Sequence, residues 1–441
     1  MAEAASRSGK TEPADERETR RNARLIILNG GVMELAHSFA SSEAVIPAYI
    51  QLLTGSSIYV GLSRAMMRVG WAWPQILISN LIEGRERKKP VFIWGGLVRC
   101  CITVTIGVAT WVLAEESPGV LLGIYLGLYA VATSMMGVTN VPWMDVIGKV
   151  IPSGERSRVF ALRRLLGGGL AIGSGLVISY MVSDASGLAF PKGYAVLFII
   201  SGVVTAVSVS IFGLIREPVE NVARAREPMR SYLAGGFRLL REDLDYRRLF
   251  ILRYLWAAAM MGTSFYVPYA LSDLQISMVY IGLFVSVSQA SSILSNALWA
   301  RIGKRGGSRA LMIIGTYLLG ASLVVPLVTP YVPSIAVSPF DVFGVATFDT
   351  RVLFFSLTFL CNGFATSGMF TGRMALVLDL APEDRRPTYT SFMNTLGVPQ
   401  GLMPILGGFL AAWLSYGHVF FIGLCFLPPA ILLAHRIQQK S

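Results

Sequence analysis

The 441-residue sequence predicts an all-α, polytopic membrane protein with twelve transmembrane helices in two pseudo-symmetric six-helix bundles. Three observations carry that expectation. Hydrophobic residues make up 54% of the chain and charged ones 15%, against about 25% charged in soluble domains, so the polar surface of a globular protein is missing. Apolar runs repeatedly reach the roughly 20 residues an α-helix needs to cross the hydrocarbon core, whereas the short alternating segments of a β-barrel are not seen. One long polar stretch also divides these runs six and six.

The runs are 24–53, 57–83, 90–114, 119–148, 158–183, 193–215, 248–271, 277–300, 309–328, 350–378, 388–414 and 416–435. Turns after the even-numbered runs hold the basic clusters, from Arg85, Arg87, Lys88 and Lys89 to Arg385 and Arg386, while Glu115, Glu116, Asp184, Asp273 and Asp341 lie in the opposite turns. Retention of Lys and Arg on the cytoplasmic side then places both termini there. The same clusters account for the net charge of +12, so no nucleic-acid surface is implied.

The expected organisation is a tail over 1–23, a six-helix bundle over 24–215, a linker over 216–247, a second bundle over 248–436 and a tail over 437–441. The first tail mixes charges of both signs without an apolar core, which predicts a disordered cytoplasmic segment and no signal peptide. In the linker, Met229, Leu233, Phe237, Leu240 and Leu244 recur at helical spacing among charged residues, as in an interfacial amphipathic helix. Cys100, Cys101, Cys361 and Cys425 lie inside apolar runs without metal-type spacing and read as small hydrophobes.

The halves share sequence. Ser56, Tyr59, Gly61 and Leu62 match Ser277, Tyr280, Gly282 and Leu283 in register, Pro47 matches Pro268, and Ser79-Asn80 with Arg85 match Ser295-Asn296 with Arg301. A parallel repeat of six spans is the mark of a two-bundle transporter whose substrate lies between the halves.

Ser79-x-x-x-Glu83-x-x-x-Arg87-Lys88 resembles the Gly-x-x-x-Asp-Arg-x-Gly-Arg-Arg loop motif of the major facilitator superfamily, with Ser79 for Gly, Glu83 for Asp, Gly84 for Arg and Glu86 for Gly. Ala300-Arg301-Ile302-Gly303-Lys304-Arg305 resembles its second-half copy, with Ala300 in place of the acidic residue. The resemblance extends from about Arg24 to Arg436. It implies an alternating-access secondary transporter with helices 1, 4, 7 and 10 lining the cavity, and Glu83, Arg87 and Lys88 as part of a cytoplasmic latch. The alternative is that these charges only set topology.

Charges inside a membrane cost about 3 kcal/mol each at mid-helix, so each needs a partner or a wet cavity. Span 1 offers Glu34, His37, Ser38 and Ser41 on one broad face, and span 2 offers Arg64, Arg68, Trp71 and Gln75. A Glu34–Arg68 or His37–Glu34 arrangement is expected, either taking up a proton during transport or pinning helices 1 and 2 together. Glu43 is expected nearer the outer mouth, facing away from Glu34. Asn140 in span 4, with Thr133 and Gly137, and Asn362, Thr366, Met369 and Arg373 in span 10 form polar stripes suited to hydrogen-bonding substrate or another helix. Tyr266, Pro268 and Tyr269 read as an outer gate or as part of the aromatic belt. Arg99 and Arg253 lie close enough to the cytoplasmic surface to snorkel and are not taken as site residues. Asp145 with Arg163 and Arg164, and Asp379 with Arg385, are expected as inner-face ion pairs. Gly169-x-x-x-Gly173 suggests close helix contact.

No phosphate-binding loop is present, so ATP is not the expected energy source; a proton gradient is the candidate, with no cofactor. Glu34-x-x-His37 is a seed for a membrane-embedded enzyme, but the three histidines, His37, His418 and His435, are too scattered for a metal site. A receptor or scaffold of the same fold would call for soluble domains that the chain lacks. The expected partners are therefore the bilayer and a small organic solute, with Arg64, Arg68 and Arg373 hinting at an anion. A monomer in a bacterial inner membrane fits the lack of Asn-x-Ser/Thr acceptors.

Overall fold

The computed structural model describes residues 13–82, 85–188, 190–219, 240–338, 348–381, 389, 393 and 397–437. The expected amphipathic segment from Met229 lies almost wholly outside them. In the first half, α1 (Pro13–Phe39) and α2 (Val45–Thr54) share span 1. They are followed by α3 (Ser57–Ile82), α4 (Lys89–Leu113), α5 (Pro118–Val150), α6 (Ser153–Met181) and α7 (Lys192–Gly213). In the second half, span 7 is α8 (Leu244–Ala259), a 3-10 segment (Met260–Phe265) and α9 (Tyr266–Ser272). α10 (Ile281–Val328) takes spans 8 and 9, and α11 (Thr350–Leu380) takes span 10. The described part of span 11 ends in α12 (Met403–Trp413), and α13 (Tyr416–Cys425) and α14 (Leu427–Arg436) make up span 12. Before α11, β1 (Ala336–Ser338) pairs with β2 (Phe348–Asp349) in a short antiparallel ladder. Seven of the helical segments are individually long and apolar enough to cross a membrane.

Two expectations change. α1 begins at Pro13, so residues 13–23 extend span 1 as helix rather than forming a disordered tail. Span 1 also breaks at Ala40–Ala44, well before Pro47. Ser38 Oγ donates back to Leu35 O at 2.7 Å, and Ser41 Oγ accepts from the Glu43 N–H at 3.3 Å. Serine hydroxyls thus take backbone groups that a continuing helix would use.

Within α10 the chain reverses at Gly307 (φ 66°, ψ −172°), a backbone region essentially restricted to glycine. Its two limbs pack on the same stretch of α11: Trp299 Nε1 donates to Phe364 O at 3.2 Å, and Gly315 abuts Met369. Polar bonds at small residues bind the first half. Asn29 Nδ2 donates to Ser208 O at 2.9 Å while Ser208 Oγ donates to Asn29 O at 2.8 Å, and Ser201 Oγ donates to Ala36 O at 2.7 Å, joining α1 to α7. In the second half Tyr266 and Tyr269 are buried among Phe355, Phe359, Tyr416 and Phe420, so they form core rather than an aromatic belt. Large apolar residues such as Trp94, Leu77 and Phe421 remain exposed on outer faces, as lipid contact requires.

The halves meet along two seams. Between α3 and α12, Ser57 Oγ donates to Gly408 O at 3.0 Å, and Gly61 sits against the Pro404 carbonyl. Between α6 and α10, Ser286 Oγ donates to Ile172 O at 2.8 Å, and the backbones touch at Gly175 and Gly282. Gly169 and Gly173, the expected contact pair, face open space instead. These contacts lie toward the face opposite the one where Arg21 bonds Leu214 O and Arg248 bonds Arg436 O. The molecule is sealed at that far face.

Replacing Gly307 with alanine is expected to destabilise the protein by about 1–3 kcal/mol. The same change at Gly148, helical and free of neighbours, is expected to be neutral or stabilising. Thermal unfolding of the two variants checks this, and equal unfolding temperatures would remove the strain argument.

Candidate functional site

Below the seal the halves part around a cavity of about 580 Å³. It is lined by α1 and the 40–44 turn, by α6, by the first limb of α10 and by α11, that is, spans 1, 5, 8 and 10. Spans 4 and 7, expected from the family pattern, do not reach it. The middle of span 7 is consumed by the buried aromatic cluster, and glycines at 167 and 168 let α6 close against α1 and α10.

Among the described residues, the charged groups of this cavity come from the first half. Glu34, Glu43, Arg163 and Arg164 line one side together with His37, whereas the second half supplies Phe284, Phe359 and uncharged polar groups such as Ser288, Gln289, Asn296 and Thr366. Of the expected cavity residues, Glu34, His37 and Ser41 are present in the lining.

The expected Glu34–Arg68 pair does not form. Glu34 Oε1 accepts from Gln289 Nε2 at 3.5 Å, and its stem packs on Gly167. Arg68 is half-buried against Gly401 and makes no hydrogen bond or ion pair among the described residues. The pair that does form is Arg64–Glu43. Arg64 Nη2 lies 3.2 Å from Glu43 Oε1, and Arg64 Nη1 donates to Ser42 O and Oγ at 2.9 and 2.6 Å. Ser288 Oγ, across the interface, donates to Glu43 Oε2 at 3.1 Å. The helix break is the reason: it turns Glu43 inward, where an unbroken helix would have pointed it away from Glu34. Glu43 therefore ties α3 to the second half at the closed end of the cavity.

His37 does not pair with Glu34 either. Its Nε2 lies 3.3 Å from Arg99 Nη1, and Arg99 is only 8% exposed. Arg99 therefore does not snorkel. Arg253 also turns inward, donating to Met393 O.

Arg163 is absent from any ion pair with Asp145. Its guanidinium lies 4.6 Å from the Trp143 ring centroid, and its stem covers Gly30 at the cavity wall. Asp145 instead joins a network around the loop motif. Lys88 Nζ lies 2.6 Å from Asp145 Oδ1, and Lys149 Nζ lies 3.1 Å from Asp145 Oδ2 and 3.4 Å from Glu217 Oε1. The buried Glu217 accepts from the N–H groups of Lys88 and Lys89 at 2.8 and 2.9 Å, where its charge favours the α4 N-terminus. Lys88 is thus a structural tie within the first half, while Arg87 is exposed. Glu83 and Arg385 lie outside the described residues, as does the Ser79 side chain.

In the second half Arg301, Lys304 and Arg305 are exposed and Gly303 is half-buried beside Leu311, with no ion pair among the described residues. Asp379 accepts from Ser308 Oγ at 3.1 Å. Asn140 donates to Gln75 Oε1 at 3.4 Å, an interhelical bond. Asn362 and Arg373 are buried outside the cavity lining, Arg373 over the Phe370 ring at 5.4 Å. Sequence reasoning missed Ser288, Gln289, Arg163 and Glu217 in these roles. Gln289 had a visible signal, since it occupies the register position of Arg68 in the other half.

The profile of the Major Facilitator Superfamily matches residues 38–350 of this chain. Uncharacterized proteins of Mycobacterium tuberculosis and Mycobacterium bovis are 25% identical to it over 202 residues, 45% of this chain and 38% of theirs. The match thus spans well under half the length of these curated relatives. Three solved structures share the fold. A bacterial homologue of the iron transporter ferroportin in an inward-facing state has TM-score 0.69 and 14% identity, covering 95% of this chain and 98% of that one. The nucleoside transporter NupG has TM-score 0.65 and 13% identity over 94% and 98%. A POT family transporter in complex with 5-aminolevulinic acid has TM-score 0.66 and 13% identity over 95% of each chain.

Removing Glu43 leaves Arg64, whose side chain is 12% exposed, without its ionic partner, while the Glu43 side chain is itself 38% exposed to the cavity. Glu43→Gln is expected to destabilise by about 1–2 kcal/mol, and adding Arg64→Gln is expected to recover about 0.5–1 kcal/mol of that. A double-mutant cycle on thermal or denaturant unfolding reads both, and strict additivity would show that the pair is not coupled. Glu217→Ala is expected to cost about 2 kcal/mol by removing the acceptor of the Lys88 and Lys89 N–H groups and one carboxylate partner of Lys149.

Proposed function

The chain belongs to the major facilitator superfamily, and on that premise we propose that this membrane transporter is a secondary active carrier of a small polar organic solute, worked by alternating access. The observation that carries the reading is the polar cavity between two halves that, among the described residues, close on each other at one face. A solute bound there touches both bundles, so rocking them about it exchanges the side of access without opening a continuous path. With basic turns retained inside, both termini are cytoplasmic and the cavity opens to the cytoplasm. The setting is a bacterial inner membrane and the working unit a monomer.

An anionic group on the solute suits the first-half wall, where Arg163 and Arg164 bring fixed positive charge. Hydroxyl or amide groups suit the second-half wall, which carries no charge among the described residues. Glu34 is the candidate proton carrier. It faces the cavity, and its hydrogen-bond partner among the described residues is Gln289 at 3.5 Å, with the Arg163 charge nearby, whereas Glu43 is committed to Arg64 and Ser288. Proton uptake at Glu34 also loosens a cross-interface tie, which links protonation to movement of the halves.

Proteoliposome flux of a panel of organic anions and neutral analogues, with and without an imposed pH gradient, tests this. Arg163→Gln is expected to lower flux of anions at least tenfold by weakening binding, with smaller effect on neutral analogues. Glu34→Gln is expected to abolish the response to the pH gradient while exchange of solute on both sides persists. Gradient-independent flux that the Glu34 substitution leaves unchanged would defeat the proton role.

A further inference from the structure

A second chamber, of about 160 Å³, lies inside the first half among α1, α3, α4, α5 and α7. Its volume is too small for most organic solutes, whose sites run to about 300 Å³ or more, but ample for a small ion with water. His37 and Ser42 border both this chamber and the main cavity and so form the wall between them.

The charge balance of the chamber is unusual. Arg99 lines it, is 8% exposed and has no carboxylate within ion-pair distance among the described residues. Its polar contacts are His37 Nε2, 3.3 Å from Nη1, and Met33 Sδ at 2.7 Å. A guanidinium only donates hydrogen bonds, so His37 Nε2 is the acceptor and the imidazole is neutral. Neither contact offsets the positive charge, and an arginine does not lose its proton to escape the cost. A buried cation in this position calls for a counter-ion.

The rest of the lining offers a donor and no charged acceptor. Tyr125, 1% exposed, has a hydroxyl without a hydrogen-bond partner, and buried hydroxyls rarely stay unpaired. Thr103, Thr133, Ser201 and Thr205 already donate to backbone carbonyls, so their protons are not seeking acceptors. From these observations we propose that the chamber is a binding site for a small monovalent inorganic anion of chloride size, held by Arg99 as the counter-ion its burial calls for. This site is separate from the cavity that carries the solute and does not depend on the transport reading.

Thermal unfolding of the purified full-length protein, with sodium bromide or chloride replacing gluconate at constant ionic strength, tests it without any transport measurement. A saturable rise in Tm of about 2–4 °C is expected. Arg99→Gln is expected to abolish it, and the Arg163→Gln/Arg164→Gln double variant to retain it. If Arg99→Gln does not fold, Arg99→Lys keeps the test decisive, with an expected loss of about five- to tenfold in halide affinity as the fork of guanidinium donors is lost. No saturable response in the wild type, a response unchanged by the Arg99 substitutions, or loss of the response only in the Arg163/Arg164 variant would overturn the site. Bromide anomalous scattering beside Arg99 would place the ion directly, while a peak only beside Arg163 and Arg164 would refute the assignment.

Discussion

Glu43, held between Arg64 of α3 and Ser288 of α10, is the interaction on which the site depends. A carboxylate in the low-dielectric interior of a membrane protein is tolerable only with its charge met and its lone pairs bonded. Arg64 meets the charge and Ser288 supplies a bond from the other half. The same contact therefore meets a charge at the deep end of the cavity and joins the two halves. It exists because span 1 stops being helical at Ala40–Ala44, so the residues that weaken the helix also build the site.

Around this tie the interface is a contrast between seal and opening. Where Gly175 meets Gly282 and Gly61 meets Pro404, the backbones approach so closely that one added methyl would collide. Serine hydroxyls across the same seams bond to carbonyls of the partner helix. These contacts are short-ranged and carry no ionic bonds. The ionic network of Lys88, Asp145, Lys149 and Glu217 lies instead within the first half, at the other face. It stiffens one body, holding the start of α4 to the ends of α5 and α7.

The distribution of charge between the halves is the second organising feature. The repeat supplies two bundles of like architecture, but among the described residues the charged cavity side chains belong to the first, beside Ser41 and Ser42, while the second contributes uncharged ones. The position that holds Arg68 in one half holds Gln289 in the other, and Gln289 is the residue that reaches Glu34. The structural symmetry is thus accompanied by a chemical asymmetry of the two cavity walls.

The membrane class, the helical runs and the two-bundle organisation were legible in the sequence because hydrophobicity along a run and basic turns between runs are local properties. Part of the cavity wall was also legible: Glu34, His37 and Ser41 line it, and Arg64 pairs with Glu43 beside it. Their partners were not, because pairing depends on the relative rotation, depth and breaks of helices far apart in the chain. A continuous span 1 puts Glu43 away from Glu34; a span broken by its own serines puts both on the cavity. Likewise Arg99 is near the surface when counted along α4, yet packing against α1 buries it beside His37. The sequence by itself determined a two-bundle membrane protein with charges inside it. Only the tertiary structure decided which charges meet, because ion pairing falls off over a few ångströms and those few are set by how helices pack.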